Sequence, residues 1–225
     1  MTGATIGVLI FAAATTLWLI YYVRFYLPNQ LEQRFLESMK AFSKAIELRF
    51  PLNTGGSDEV IHFATLMGKQ FGYSRTELLE LSLAAHLRDI GCCAIPYRPF
   101  SEKSRSDWTE SEARVFERHP EVSGAMLELV PSLRHVADMV RWHHARFDGS
   151  NVVGSPVGSD LPLSARILKV ASDFVHLSHE IGPGAAAKVI ESGKGTEYCP
   201  DVVEEFVQVL RSSRVKEPEP SLAGF

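Results

Sequence analysis

Apolar residues recur along this chain at the three- and four-residue spacing of helices, and no strand-like alternation persists anywhere. Residues 4–23, ATIGVLIFAAATTLWLIYYV, carry no charge and are apolar on nearly every face. After Pro28, the residues Leu31, Phe35, Phe42 and Ile46 fall at near-helical spacing among Glu32, Arg34, Glu37, Lys40 and Lys44. This predicts a helix over 29–50, broken by Pro51 and the TGGS run at 54–57. A second amphipathic stripe, Val60, Phe63, Ala64, Met67 and Phe71, stops at Gly72, and Ser74 can cap ELLELSLAAHLRD, which is apolar almost all round and so belongs at the centre of the core.

Beyond it, the sequence from Gly91 to Trp108 reads as a polar loop with Pro96 and Pro99. Thr109 and Glu112 have the capping-box spacing and open a short helix to Arg118. Pro120 starts another helix, to Val130, and Pro131 the next, to His144. A glycine-rich loop over Asp148 to Asp160 precedes LPLSARILKVASDFVHLSH, a long and largely buried helix. AAAKVIES and DVVEEFVQVLRSS close the pattern. The fold class is all-α, divided into a span at 4–23, a lead-in segment at 24–56, a helical domain at 57–213 and a tail at 214–225 that reads as disordered.

Twenty uncharged residues at helical rise cover about 30 Å, one bilayer core, and Trp18, Tyr21 and Tyr22 suit an interfacial belt. A cleaved signal peptide is the rival reading, but MTG carries no positive charge and no small-x-small site follows the apolar run. Basic residues follow the span, at Arg24, Arg34 and Lys40. A single-pass anchor in a bacterial inner membrane, with its C-terminal domain in the cytoplasm, is therefore expected.

With 225 residues, 45% of them hydrophobic, the chain can fill one good-sized core. Its net charge of -4 supplies no general basic field, so nucleic acid is not an expected partner. Three cysteines, two of them adjacent at Cys92 and Cys93, form neither a disulfide framework nor a zinc-ligand pattern; those two read as small core groups. The histidines are more informative, because His119, His135, His143 and His144 lie close together in sequence. A metal site needs imidazoles and carboxylates drawn from several helices, and Asp89, His119, the His143–His144 pair and Asp173 are placed to supply them.

In that order these residues sit in motifs that resemble the HD-GYP branch of the HD phosphohydrolase superfamily, over nearly all of 41–210. AFSKAIELRFPLNTGGS resembles the family's first helix and its Thr-x-Gly-His-Ser element, and LAAHLRDIGCCAIP its Leu-His-Asp-Ile-Gly-Lys-Ile-Gly-Ile-Pro core. ERHPEVSGAML is similar to the His-Pro-x-x-Gly junction, and WHHARFDGS to the double histidine before the Gly-Tyr-Pro loop. LPLSARILKVASDF resembles the helix that carries the last metal aspartate, and GTEYCPDVVEEF the closing stretch. The resemblance implies an HD-type helical bundle, a divalent metal such as Fe, Mn or Zn, and a cyclic dinucleotide substrate.

The departures fall in the chemistry. Gly56 stands where the family has its first histidine ligand, Arg88 replaces the histidine of the His-Asp doublet, and Cys92 replaces a lysine; Asn151, Val152 and Val153 occupy the Gly-Tyr-Pro positions. By the resemblance, one metal has lost two of its four ligands while Asp89, His119, His143 and His144 remain for the other, with Asp173 as the last aspartate. The guanidinium of Arg88 is then expected in the first metal's place, paired with Asp89 and Asp173. Two readings stay open, one metal or none. His86, His135, His176 and His179 match no ligand, and Asp148–Gly149 is first a turn signal that can also shape a ligand loop. The expected function is a membrane-tethered signalling module, catalytically impaired, that binds a nucleotide second messenger or a signalling protein. The alternative is an active cyclic di-GMP phosphodiesterase. The helix over 29–50 offers a surface for a homodimer.

Overall fold

A computed structural model of the chain describes residues 2–51, 56–103, 105–152 and 154–215. It separates into two compact units, residues 1–41 and 42–225. The first is a helix: α1 (Gly3–Tyr21) runs through a π-helical turn at Tyr22–Tyr26 into α2 (Leu27–Arg49), which continues into the second unit. Pro28 does not end the helix. Proline has no N–H to give to the carbonyl one turn earlier and crowds it, and the backbone answers by widening there, with Leu27 N–H reaching the carbonyl of Tyr22. Trp18, Tyr22 and Tyr26 stack along one side, with centroids 5.4 and 5.3 Å apart. The stretch is long and apolar enough to cross a membrane: its best window has mean hydropathy 2.0 and none of it is buried.

The second unit is helical throughout, and among the described residues the only β-pairing is an isolated bridge between Lys194 and Tyr198. Helices α3 (Ser57–Gln70), α4 (Arg75–Leu87) and α8 (Leu163–Ile181) pack together, with α9 (Pro183–Ser192) and α10 (Pro200–Val215) on the flank of α8. Phe63, Phe174 and Phe206, from α3, α8 and α10, meet edge to face at 4.8 to 6.3 Å. Helices α5 (Glu110–Phe116), α6 (His119–Glu128) and α7 (Ala137–Arg141) are shorter, and α6 packs on α7. Ser74 and Thr109 both form full capping boxes, with Glu77 and Glu112.

Two segments depart from the sequence pattern. The stretch from Gly91 to Trp108 is not simply polar: Cys92, Ile95 and Phe100 turn inward and, with Ile46, Phe50 and Phe116, build a second apolar cluster against Trp108. Residues 131–144 do not form one helix. Arg134–Val136 is a 3-10 turn, α7 ends at Arg141, and His143 and His144 lie in the turn beyond it. Adjacent residues on a helix point about 100° apart, whereas this turn lets both rings face the same way, with centroids 4.1 Å apart. Thr54, Gly55 and Val153, and the tail from 216 onward, lie outside the described residues.

Candidate metal and nucleotide site

The site is assembled at the end of α4, where the chain leaves the central helix with Arg88 and Asp89 and turns through a 3-10 segment at Ile90–Ala94. Ser123 of α6 clamps that turn: its hydroxyl accepts from Gly91 N–H at 2.8 Å and donates to the carbonyl of Arg88 at 2.9 Å. Gly91 must be glycine for this approach, because a Cβ would stand 2.3 Å from the carbonyl oxygen of His119. The clamp sets Asp89 against His119, the first residue of α6.

Arg88 is a buried cation, 4% exposed. Its Nε meets Asp89 Oδ2 at 3.2 Å, and one terminal nitrogen donates to the Ala85 carbonyl at 2.8 Å and to Ser57 Oγ at 3.1 Å. Ser57, which opens α3, also accepts from Ser43 Oγ and gives its backbone N–H to Glu47 Oε1, so α2, α3 and α4 are tied together at this point. Burial pushes the Asp89 carboxyl up, but the Arg88 charge and the contact with His119 outweigh it and hold the group well below the usual carboxylate range.

The other face of Asp89 looks at histidines. His119 is 1% and His143 0% exposed. His119 Nδ1 lies 2.8 Å from the Phe116 carbonyl and His143 Nδ1 2.6 Å from that of Val140. A carbonyl can only accept, so each Nδ1 carries a hydrogen, and in the neutral ring Nε2 presents the lone pair. Both Nε2 atoms are buried without a hydrogen-bond partner, and that of His119 is 3.3 Å from Asp89 Oδ1, acceptor against acceptor unless a proton or cation lies between. Burial, with the nearby His119, pulls His143 down to about 3; burial, with both neighbouring histidines, holds His144 well below the ordinary imidazole range. These rings are therefore neutral ligands at ordinary pH. The donor atoms of His119, His143 and His144 lie within 4.8 Å of one another, and so do those of Asp89, Cys92 and His119. Oriented lone pairs backed by carbonyls, beside an ionised carboxylate, fit a divalent metal.

Asp173 takes a different position from the one its sequence motif suggests. Rather than completing a cluster with Arg88 and Asp89, it receives Lys169 Nζ one turn earlier on α8 and the Tyr198 hydroxyl at 3.0 Å. Burial, and then the charges of Asp173 and Glu197, keep that phenol protonated as a donor. Lys169 also reaches Glu197 at 3.3 Å, Glu197 reaches Arg146 at 3.5 Å, and Arg146 meets Asp148 at 3.2 Å. Asp148 and Gly149 thus sit at the end of an ion-pair chain that pins their loop, with Gly149 in the left-handed region at φ 73°. Asn151 donates to the His144 carbonyl at 2.9 Å and accepts from Arg146 N–H at 2.8 Å, folding the loop back onto the histidine pair.

Reading the sequence alone missed Ser57, Ser123, Lys169 and Asn151 as positioning residues; of these only Lys169, four residues before Asp173 on one helix, had a visible signal. Gly56 at the missing-ligand position begins α3 at φ 66°, and a Cβ there would come within 2.4 Å of Val175 Cγ1. His135 pairs with Glu80, His176 with Glu180 and His179 with Glu59, and the His179 ring lies beside Gly56, 3.5 Å from where a Cβ there would stand.

Residues 40–202 match the HD domain family over most of the chain. The chain belongs to the HD-domain family. Among curated proteins, this HD domain is 32% identical over 148 residues to the cyclic di-GMP phosphodiesterase response regulator RpfG of Xanthomonas campestris, covering 65% of the chain and 39% of that protein. It is 27% identical over 151 residues to the 3'3'-cGAMP-specific phosphodiesterase 3 of Vibrio cholerae, covering 67% of the chain and 32% of the relative. The chain thus spans about two fifths or less of the length of these relatives. A solved cyclic GMP-AMP specific phosphodiesterase from V. cholerae superposes with TM-score 0.65 at 18% identity, over 80% of this chain and 49% of that one. An HDG"Y"P protein from Bdellovibrio bacteriovorus gives 0.58 at 16% identity, over 69% and 51%. These two likenesses speak to the fold.

Proposed function

We propose that this protein is a membrane-tethered HD-GYP-like signalling module that binds a cyclic dinucleotide and holds at most one divalent ion, without the two-metal hydrolysis of its relatives. The observation that carries this reading is the buried Arg88 guanidinium on Asp89 Oδ2, 3.2 Å away. A fixed positive charge there neutralises the carboxylate and cannot leave, because guanidinium does not lose its proton in a protein. It disfavours a second cation on the same oxygen by charge and by space.

Asp89, His119, His143 and His144 are the residues that would hold the remaining ion. When bound, such an ion supplies a Lewis acid that can orient a phosphate oxygen. Arg88 cannot replace the other ion's effect on the acidity of water, so tight binding with little turnover is the expected balance. The relatives' names make cyclic dinucleotides the natural ligand class to test. The pinned loop at Arg146–Asp148 and the Asn151 clamp offer a preformed wall for it. The apolar helix from Gly3 supports a tether, and the basic residues that follow it favour an HD domain on the cytoplasmic side.

The test is to incubate the full chain, in detergent, with cyclic di-GMP and Mn2+ or Fe2+. A ligand-dependent rise in Tm with no linear dinucleotide product is expected. Product formation that Asp89→Ala abolishes would return the protein to the active phosphodiesterases.

A further inference from the structure

We propose that Cys92 is a metal ligand: an ion bound at Asp89 and His119 takes the Cys92 thiolate as its third protein ligand, which makes this centre selective for a thiophilic ion, zinc in particular. The inference rests on the one-metal reading above and adds to it a donor that the HD-GYP motif does not contain, since a lysine stands there in the family pattern.

Geometry comes first. The Sγ of Cys92, a carboxylate oxygen of Asp89 and a ring nitrogen of His119 lie within 4.8 Å of one another, a spacing that one ion can bridge with bonds of about 2.0–2.3 Å. The 3-10 turn after α4 brings this about, because it carries Asp89 and Cys92 three residues apart and back to one side, with the Cys92 N–H bonded to the Asp89 carbonyl at 2.9 Å. Cys92 is fully buried and is a free thiol. An independent feature points to the same spot: His119, 1% exposed, has an Nε2 without a hydrogen-bond partner, 3.3 Å from Asp89 Oδ1. The Nε2 of His143 is buried and equally without a hydrogen-bond partner, in a ring whose centroid is 5.5 Å from that of His119.

Charge supplies the reason. Arg88 already cancels Asp89, and an imidazole ligates a metal as a neutral donor, so the carboxylate and imidazoles alone offer a dication no net negative charge in a buried place. A thiolate restores one. On binding, the Sγ–metal bond forms as the thiol proton is released to solvent, with no change of oxidation state. Sulfur beside imidazole and one carboxylate is a donor set that favours zinc over manganese.

Cobalt(II) substitution reads this directly, because a cobalt–thiolate bond gives a sulfur-to-metal charge-transfer band in the near ultraviolet and imidazole or carboxylate ligands do not. The full chain in detergent, loaded with one equivalent of Co2+, is expected to show the band. Cys93→Ser, which removes the exposed neighbour, keeps it; Cys92→Ala loses it, and zinc affinity falls by at least about ten-fold, the loss that removing even an outer partner of a ligand produces. Cobalt bound with no such band in the wild-type protein, or a band that survives in Cys92→Ala, overturns the proposal while the one-metal reading stands. Failure of the wild-type chain to bind cobalt or zinc overturns this proposal and leaves the metal-free form of the proposed function. The wild-type spectrum decides the matter even if Cys92→Ala does not fold.

Discussion

An ionised carboxylate and a bare imidazole nitrogen repel unless something positive joins them, and at Asp89 and His119 the two face each other across 3.3 Å. The residue on the carboxylate's other side, Arg88, satisfies only Oδ2. The site is thus unbalanced as a set of residues, with one corner closed by a fixed cation and one left open to a mobile one. Restoring the missing ligands is not a matter of two substitutions. At Gly56 any side chain meets Val175 and a left-handed backbone, so Gly56→Ala is expected to lower stability by about 1–3 kcal/mol in denaturant unfolding, and Gly56→His with Arg88→His to leave the second metal site unformed. The neutral histidines give a pH signature. His143 protonates in the unfolded chain as pH falls through 6.5 but in the folded protein only near about 3. Its contribution is complete above pH 6.5 and is lost as pH falls towards 3, because the unfolded state binds the extra proton throughout that window. Asp89, held low, adds a loss in the same direction below its ordinary range. With chelator present, Tm should fall from pH 7 to pH 5, and His143→Asn should flatten the slope; a Tm that rises over that interval contradicts the assignment.

At the scale of elements, the site depends on how the exit turn of α4 is fastened to the start of α6. Ser123 does this with one hydroxyl that both accepts and donates. Ser123→Ala leaves a buried N–H and a buried carbonyl without that partner and is expected to cost about 1–3 kcal/mol, while weakening metal binding because Asp89 and His119 lose their register. Cys199→Ser, on the far flank, is the comparison that should leave metal binding unchanged. What the sequence made legible was local: the helical periodicities and the Ser74 and Thr109 capping boxes. What it did not make legible was partnership. Asp173 carries the same motif whether it faces Arg88 or Lys169, and only the fold shows that its partners are Lys169 on its own helix and the Tyr198 hydroxyl. Likewise, an apolar run ending in two histidines reads as a helix to its end. In the structure α7 stops at Arg141 and the two rings lie 4.1 Å apart, an arrangement visible only in three dimensions.

At the scale of the whole molecule, a chain of two units joins an apolar helix to an HD domain through one continuous backbone helix, Gly3–Arg49. A tether of this kind predicts that the full chain stays with membranes through an alkaline wash, and that a reporter fused after residue 215 is active only as a cytoplasmic enzyme. Release by the wash would remove the tether and leave the site untouched. The HD domain match covers residues 40–202, and Arg88 lies inside it, at the carboxylate of Asp89. The most direct test is the number of divalent ions per chain in full-length protein purified without chelator, by elemental analysis against protein concentration. At most one ion per chain is predicted, and none in Asp89→Ala; two ions per chain would contradict the claim that a guanidinium occupies the other's place.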